Sequence, residues 1–257
     1  MMFEIDGVTL YNGDCLEVMD NIPDNSIDLV LCDLPYAVTD ISWDVLIPFD
    51  KLWSQYGRIL KESGNVVLFS SGMFTFKVAE SNPDDFRYRL VWKKNVPTGM
   101  SSARYRPMKY FEEICVFNRG ASVAVYNPQM KERVGEKKEC YNYEHYCGDN
   151  NHIKMGKKPK MYDPDFVQPS DVLEFDVVPN RAGKIHPTEK PVKLLEYLIR
   201  TYSNENAVVL DNCMGSASTG IAAIRMKRKF IGIEKEQAYY DKCVERIRFE
   251  KSMEPLL

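Results

Sequence analysis

With 257 residues, 44% of them apolar and 28% charged, the chain is long enough to bury one large α/β core or a core carrying an insertion. No apolar run approaches the roughly 20 residues needed to cross a bilayer, and Met1-Met2-Phe3-Glu4 lacks the pattern of a signal peptide, so a cytoplasmic chain with no membrane partner is expected. A net charge of −3 excludes a surface coated in positive charge, although a local basic patch against phosphates remains compatible with it.

Short apolar runs predict strands at Ile27 to Cys32, Val66 to Phe69, Arg87 to Trp92, Glu113 to Phe117, Ala207 to Leu210 and Phe230 to Ile233, each fit to be covered on both faces. Helical spacing of Phe49, Leu52, Trp53, Tyr56, Ile59 and Leu60 predicts a core-facing helix between the first two. A second helical stripe, Leu194, Leu195, Leu198, Ile199 and Tyr202, begins just after Pro191. The alternation points to a mostly parallel sheet with helices on both faces. Cysteines at 15, 32, 115, 140, 147, 213 and 243 read as reduced thiols rather than a disulfide framework. Cys140, His145, Cys147 and His152 crowd together without the paired C-x2-C spacing, so no metal is expected.

The first strand ends in Asp33-Leu34-Pro35-Tyr36. A carboxylate at a strand tip can accept a hydrogen bond from an amino group, and Pro35 fixes φ and withholds a donor, leaving nearby carbonyls free to accept. Tyr36 offers a ring for a flat partner to stack on. Together the four suit the exocyclic amine of a base lifted out of its stack. Taken alone they suit equally a strand-ending turn, with Asp33 capping it and Tyr36 packed on the core.

From about 121 to 168 periodicity weakens, and between Tyr126 and Tyr162 seven Lys and one Arg face five acids with five Tyr interleaved. Such a segment suits contact with phosphates and bases, or is a solvated insertion without a role. Later, Val208-Val209-Leu210 leads into Asp211-Asn212-Cys213-Met214-Gly215-Ser216-Ala217-Ser218-Thr219 and a helical stretch from Gly220 to Met226. Gly215 permits close approach of backbone to a ligand, and Ser218 or Thr219 can cap the helix. Glu234, at the end of the next strand, is placed to grip the hydroxyls of a ribose, so a ligand with an adenosine moiety is implied. The absence of G-x-G-x-x-G and of G-K-[ST] speaks against a phosphate cradle.

At this point the chain resembles the amino-group DNA methyltransferases that use S-adenosylmethionine. Asp33-Leu34-Pro35-Tyr36 resembles their [DNS]-P-P-[YF] catalytic motif, and the 211–219 loop their D-P-F-x-G-S-G-T-T cofactor motif; catalytic before cofactor is the circularly permuted order of the beta group. Asn12-Gly13-Asp14-Cys15, His186-Pro187-Thr188-Glu189-Lys190-Pro191 and Trp92-Lys93-Lys94-Asn95 resemble three further segments of that group. The resemblance implies a Rossmann-like methyltransferase fold, with a mostly parallel seven-stranded sheet carrying an antiparallel strand. It implies one domain over 1–257, with 121–168 as a variable target-recognition insertion. Asp33, Pro35 and Tyr36 would be catalytic. Asp14, Cys15, His186, Thr188, Lys190, Asp211, Gly215, Ser216, Ser218, Thr219 and Glu234 would bind the cofactor, and Lys93, Lys94 and Asn95 the DNA. The departures are Leu34 for Pro, Asn212 for Pro, Cys213 for Phe and Ala217 for Gly, the last three bearing on cofactor affinity.

The reaction implied is methylation of adenine N6 in double-stranded DNA, since the family more often carries Ser at position 33 for cytosine. Methylation of cytosine N4, of RNA or of a protein amide, and a catalytically silent nucleic-acid-binding protein are the alternatives. A C5-cytosine route would need a nucleophilic cysteine, and Cys32 reads as a buried strand thiol instead. A cognate restriction endonuclease and a second copy of the chain are further partners that the resemblance leaves open.

Overall fold

The computed structural model describes residues 1–36, 45–119, 123–134, 165–179 and 189–253. It opens with a hairpin, β1 (Met2–Ile5) and β2 (Val8–Asn12), turned by Asp6 at φ 39° and Gly7 at φ 79°. Two successive positive φ values make the tight turn whose twist matches that of paired strands. Then come α1 (Cys15–Met19), β3 (Ile27–Cys32), α2 (Phe49–Ile59), β4 (Leu60–Ser70), α3 (Met73–Glu80), β5 (Phe86–Thr98) and β6 (Lys109–Phe117). After two short strands, β7 (Lys131–Glu132) and β8 (Phe166–Val167), follow β9 (Val172–Glu174), α4 (Val192–Tyr202), β10 (Val208–Asp211), α5 (Ser218–Arg225), β11 (Lys229–Glu234) and α6 (Gln237–Met253).

Backbone contacts divide the chain into two units, 1–127 with 171–257, and 128–170. In the first, one sheet has the order β1-β2-β11-β10-β3-β4-β6-β5-β9. Its seven inner strands match the expected sheet: β2, β11, β10, β3 and β4 are successively parallel, and β6 is antiparallel to both β4 and β5. Two short edge strands extend it to nine, β1 antiparallel to β2 and β9 parallel to β5. In the second unit, β7 and β8 pair antiparallel, and Arg133 N donates to Asp165 O at 2.8 Å. The 121–168 segment falls mostly outside the described residues, as do Cys140, His145, Cys147 and His152.

Side-chain alternation explains why the central strand β3 is apolar on both faces from Leu29 to Cys32. Leu29 and Leu31 of β3 join the cluster with Leu198 of α4, Ile221 of α5 and Ile247 of α6, whereas Val30 and Cys32 join Leu52 and Tyr56 of α2 and Val78 of α3. Ser218 and Thr219 do not cap α5 as expected: the cap position is Ala217, and both residues lie in the first turn. Ser218 Oγ instead meets Ser216 Oγ and Glu189 Oε1, each at 3.1 Å. Among the described residues no helix is long and apolar enough to cross a membrane.

Candidate active site

Sheet order places the acids. Because β2, β11, β10 and β3 run parallel side by side, the residues at their C-terminal ends fall along one edge: Asp14 just past β2, Glu234 ending β11, Asp211 ending β10 and Asp33 just past β3. That edge is where open α/β sheets bind ligands. A cavity of about 940 Å³ opens along it, lined by these four acids together with Cys15, Pro35, Tyr36, Lys190, Gly215, Ser216, Ser218 and Thr219. Across the sheet β5 and the antiparallel β6 bring Trp92, Lys94 and Glu112 to the same cavity. Sequence positions 14, 33, 190, 211 and 234 therefore meet in one place. His186 and Thr188 lie outside the described residues.

At the end of the cavity formed by β2, β11 and β10, Asp14 caps α1, its Oδ1 accepting from Leu16 N at 3.0 Å, and its Oδ2 lies 3.3 Å from Lys235 Nζ. Glu234 is tied to backbone at both oxygens, Oε2 accepting from Gly215 N at 2.9 Å and Oε1 from Glu236 N at 2.8 Å. Gly215 has φ 52°, a conformation that glycine adopts without cost. Burial pushes the Glu234 carboxyl up to about 7 and that of Asp211 up to about 6. The donor set suits the cofactor that the sequence implied: acceptors for an adenosine's amine and hydroxyls, and several carboxylates for a cationic sulfonium.

The departures from the family pattern have visible local effects. Asn212 Oδ1 accepts a buried hydrogen bond of 2.6 Å from Tyr56 Oη, joining the loop to α2. Tyr56→Phe leaves that acceptor unmatched and is expected to cost about 1–3 kcal/mol of stability, measurable by urea unfolding. Ala217 is fully buried at φ 56° and ψ 24°, the left-handed region that a glycine would favour. Cys213 is half-buried, and Asp211 Oδ1 accepts from its backbone N at 3.1 Å. Burial first, then nearby carboxylates, push the Cys32 thiol up to about 12, so it is no nucleophile at neutral pH.

At the turn after β3, Asp33 Oδ1 accepts from Tyr36 Oη at 2.9 Å and Oδ2 from Lys190 Nζ. Tyr36 stacks on Phe74 with ring centroids 4.6 Å apart, so the turn is anchored to the core as well as open to the cavity. Leu34 does more than shape the backbone, because it is buried with Val30, Leu68 and Ile233.

Strand alternation separates the residues expected to meet DNA. Lys94 faces the cavity, 6% exposed, with Nζ 2.5 Å from Glu112 Oε1. Lys93 pairs with Glu174 of β9 at 2.9 Å, and Asn95 Oδ1 accepts from Val177 N at 3.0 Å. Sequence reading passed over Glu112, and also the exposed Arg104, Tyr105 and Arg106 in the β5–β6 connection, whose base at Val96, Pro97 and Thr98 lines the cavity. The alternation of basic and aromatic residues at 104–106 was the available signal.

Comparison with known proteins gives a consistent picture. A sequence profile of the N6/N4 type, described as DNA methylase, matches residues 27–245. The chain is 28% identical over 253 residues to the type II methyltransferase M.BglII of Bacillus subtilis, covering 90% of this chain and 66% of that protein, just under two thirds of its length. It is 26% identical over 255 residues to the DNA adenine methyltransferase YhdJ of Escherichia coli (strain K12), covering 93% and 82% respectively. The solved PvuII DNA methyltransferase (cytosine-N4-specific) superposes with a TM-score of 0.64 at 17% identity, over 96% of this chain and 92% of that one, a likeness of fold.

Proposed function

This chain belongs to the N6/N4 DNA methylase family, whose methyl donor is S-adenosylmethionine, and on that premise we propose that it methylates the exocyclic N6 of adenine in double-stranded DNA. The observation that carries the proposal is the single cavity holding Asp33, Pro35 and Tyr36 beside Asp211, Gly215 and Glu234. When bound, the cofactor supplies an activated methyl group held by a cationic sulfur. Asp14, Asp211, Glu234 and the Gly215 turn are the residues we assign to holding it.

An aromatic amine is a poor nucleophile because its lone pair is delocalised into the ring. Two oxygens of Asp33 offer about four acceptor sites, of which Tyr36 and Lys190 take two. One remaining site and a carbonyl of the Leu34-Pro35 turn can accept the two N–H bonds of the amine. These acceptors bind most strongly as the nitrogen becomes tetrahedral and its lone pair is freed, so they lower the barrier rather than merely holding the base. Tyr36 presents its ring to the flipped base, a contact worth about 1–3 kcal/mol.

Asp at position 33 and the resemblance to a relative named as an adenine methyltransferase both favour adenine over cytosine N4. Mass analysis of nucleosides from DNA incubated with enzyme and cofactor is expected to show N6-methyladenine; methylated cytosine alone, or no methylated base, overturns the reading. We assign target choice to the 121–168 segment, where side chains can meet base edges.

Arg104 and Arg106 extend the DNA-facing surface beside the cavity. Replacing both with Ala is expected to weaken binding to all duplexes alike and to reduce the slope of log affinity against log salt by about 2, one per lost phosphate contact. Fluorescence anisotropy over a salt series reads this; an unchanged slope removes the loop from the interface.

A further inference from the structure

Four charged side chains run in a chain behind the catalytic turn. Asp33 pairs with Lys190, Lys190 Nζ lies 3.5 Å from Glu112 Oε2, and Glu112 Oε1 is 2.5 Å from Lys94 Nζ. The two ammoniums rest on aromatic faces, Lys190 at 5.0 Å from the Phe69 ring and Lys94 at 5.0 Å from the Trp92 ring. Side-chain exposure is 10% for Lys190, 17% for Glu112 and 5% for Lys94. Glu112 Oε2 is shut off from solvent and makes no hydrogen bond, with Lys190 Nζ 3.5 Å away. Alternating signs across four separate segments give a network of zero net charge. Removing any member unbalances the buried network, most severely at Lys190 and Glu112, which each hold two partners.

We propose that Lys190 is a positioning residue that keeps Asp33 charged and aimed for the target amine, and that Glu112, braced by Lys94, governs how Lys190 divides itself between the two carboxylates. The proposal rests on reading Asp33 as the acceptor of that amine. A protonated Asp33 would offer a hydrogen where the amine needs a lone pair, so transfer requires the ionised form. Burial opposes that ionisation and raises the Asp33 carboxyl above its usual range, while Lys190 opposes the rise and Glu112 adds to it. Burial also works against Lys190, but Asp33 and Glu112 outweigh it and hold the ammonium protonated. Among the described residues the ionisable groups bearing on Asp33 are Tyr36 of its own turn, Cys32 of β3, Asp211 of β10, Glu112 of β6 and Lys190 ahead of α4, with Lys94 of β5 acting through Glu112.

The sign of each substitution follows. Activity is lost as pH falls through the Asp33 titration, so removing a cation moves that loss to higher pH and removing an anion moves it to lower pH. Single-turnover methyl transfer at saturating cofactor and DNA, measured across pH, is the test. Lys190→Met is expected to move the acidic limb up by about one to three pH units, Lys190→Arg to leave it near the wild-type position, and Glu112→Gln to move it down. If Lys190 only contacts the cofactor, Lys190→Met raises the apparent cofactor KM with the limb in place. If it is only structural, the melting temperature falls with the limb in place. Either result overturns the proposal. Should Lys190→Met fail to fold, the opposite shift expected of the near-isosteric Glu112→Gln decides the matter alone. Asp33→Asn separates the two readings: activity retained there defeats the amine-acceptor role itself, whereas activity lost there with limbs unmoved in the other variants defeats only the role of Lys190.

Discussion

Asp33→Asn is expected to slow methyl transfer by on the order of 10³-fold, comparable to loss of a preorganised group that stabilises charge in a transition state, while cofactor affinity stays within a few fold of wild type. The substitution keeps size and shape, so Tyr36 retains an oxygen to which it can donate. What changes is the character of the other position. A carboxylate oxygen accepts from an N–H, but an amide nitrogen donates, and two donors facing each other repel. The amine then loses its acceptor at the point where its hydrogens become most positive. Lys190 keeps Glu112 as a counter-charge, which limits the structural cost. Single-turnover rates at saturating DNA and cofactor, with calorimetry for cofactor binding, check both halves. Transfer at the wild-type rate removes Asp33 from the chemistry; parallel loss of cofactor binding makes it a structural residue of the pocket.

Which of these features can be read along the chain depends on how far apart the interacting residues lie. Strands β3, β4, β10 and β11 were legible because both of their faces are covered, and two covered faces demand an apolar run such as Leu29 to Cys32, whereas β2, its run broken by Thr9 and Asn12, was passed over. The Asp33 turn, Asp211, Gly215 and Glu234 were legible because each sits at the end of such a strand. Edge strands β1 and β9 carry a weaker pattern, since β1 alternates exposed and half-buried positions and β9 buries only Leu173. For β1 the Asp6-Gly7 pair was the local signal passed over. Helix α6 also left a readable trace, Tyr240, Cys243 and Ile247 at helical spacing, diluted by charged residues along its length. By contrast, nothing local indicates that Lys190 meets Asp33 across 157 positions, or that Tyr56 bonds Asn212 across 156. Those contacts exist only once the sheet order is known. Lys93, Lys94 and Asn95 show the complementary difficulty: as neighbours in sequence they suggest one surface, yet a strand turns alternate residues to opposite faces.

Glu234→Ala is expected to weaken S-adenosylmethionine binding by about 10²- to 10⁴-fold, the scale of losing two hydrogen bonds to a charged acceptor at about 1.5–3 kcal/mol each, without preventing folding. The carboxylate has two tasks in this geometry. It fixes the Gly215 turn by accepting from that backbone N–H, and it leaves further lone pairs toward the cavity for ligand hydroxyls. Its titration adds a test that truncation alone does not provide. Burial lifts the carboxyl to about 7, so the form that accepts from hydroxyls predominates above neutral pH and is replaced by the protonated form below it. Cofactor affinity in the wild type should therefore fall as pH drops from 8 to 6, approaching a tenfold loss per unit once below the titration. In Glu234→Gln, which has nothing to titrate at this position, affinity should be weaker at pH 8 and the dependence on pH much flatter, with the remaining slope set by Asp211, which titrates near 6. Calorimetric titrations of both proteins at the two pH values make the comparison. Equal slopes for wild type and Glu234→Gln would show that the carboxylate at the end of β11 braces the loop without gripping the cofactor.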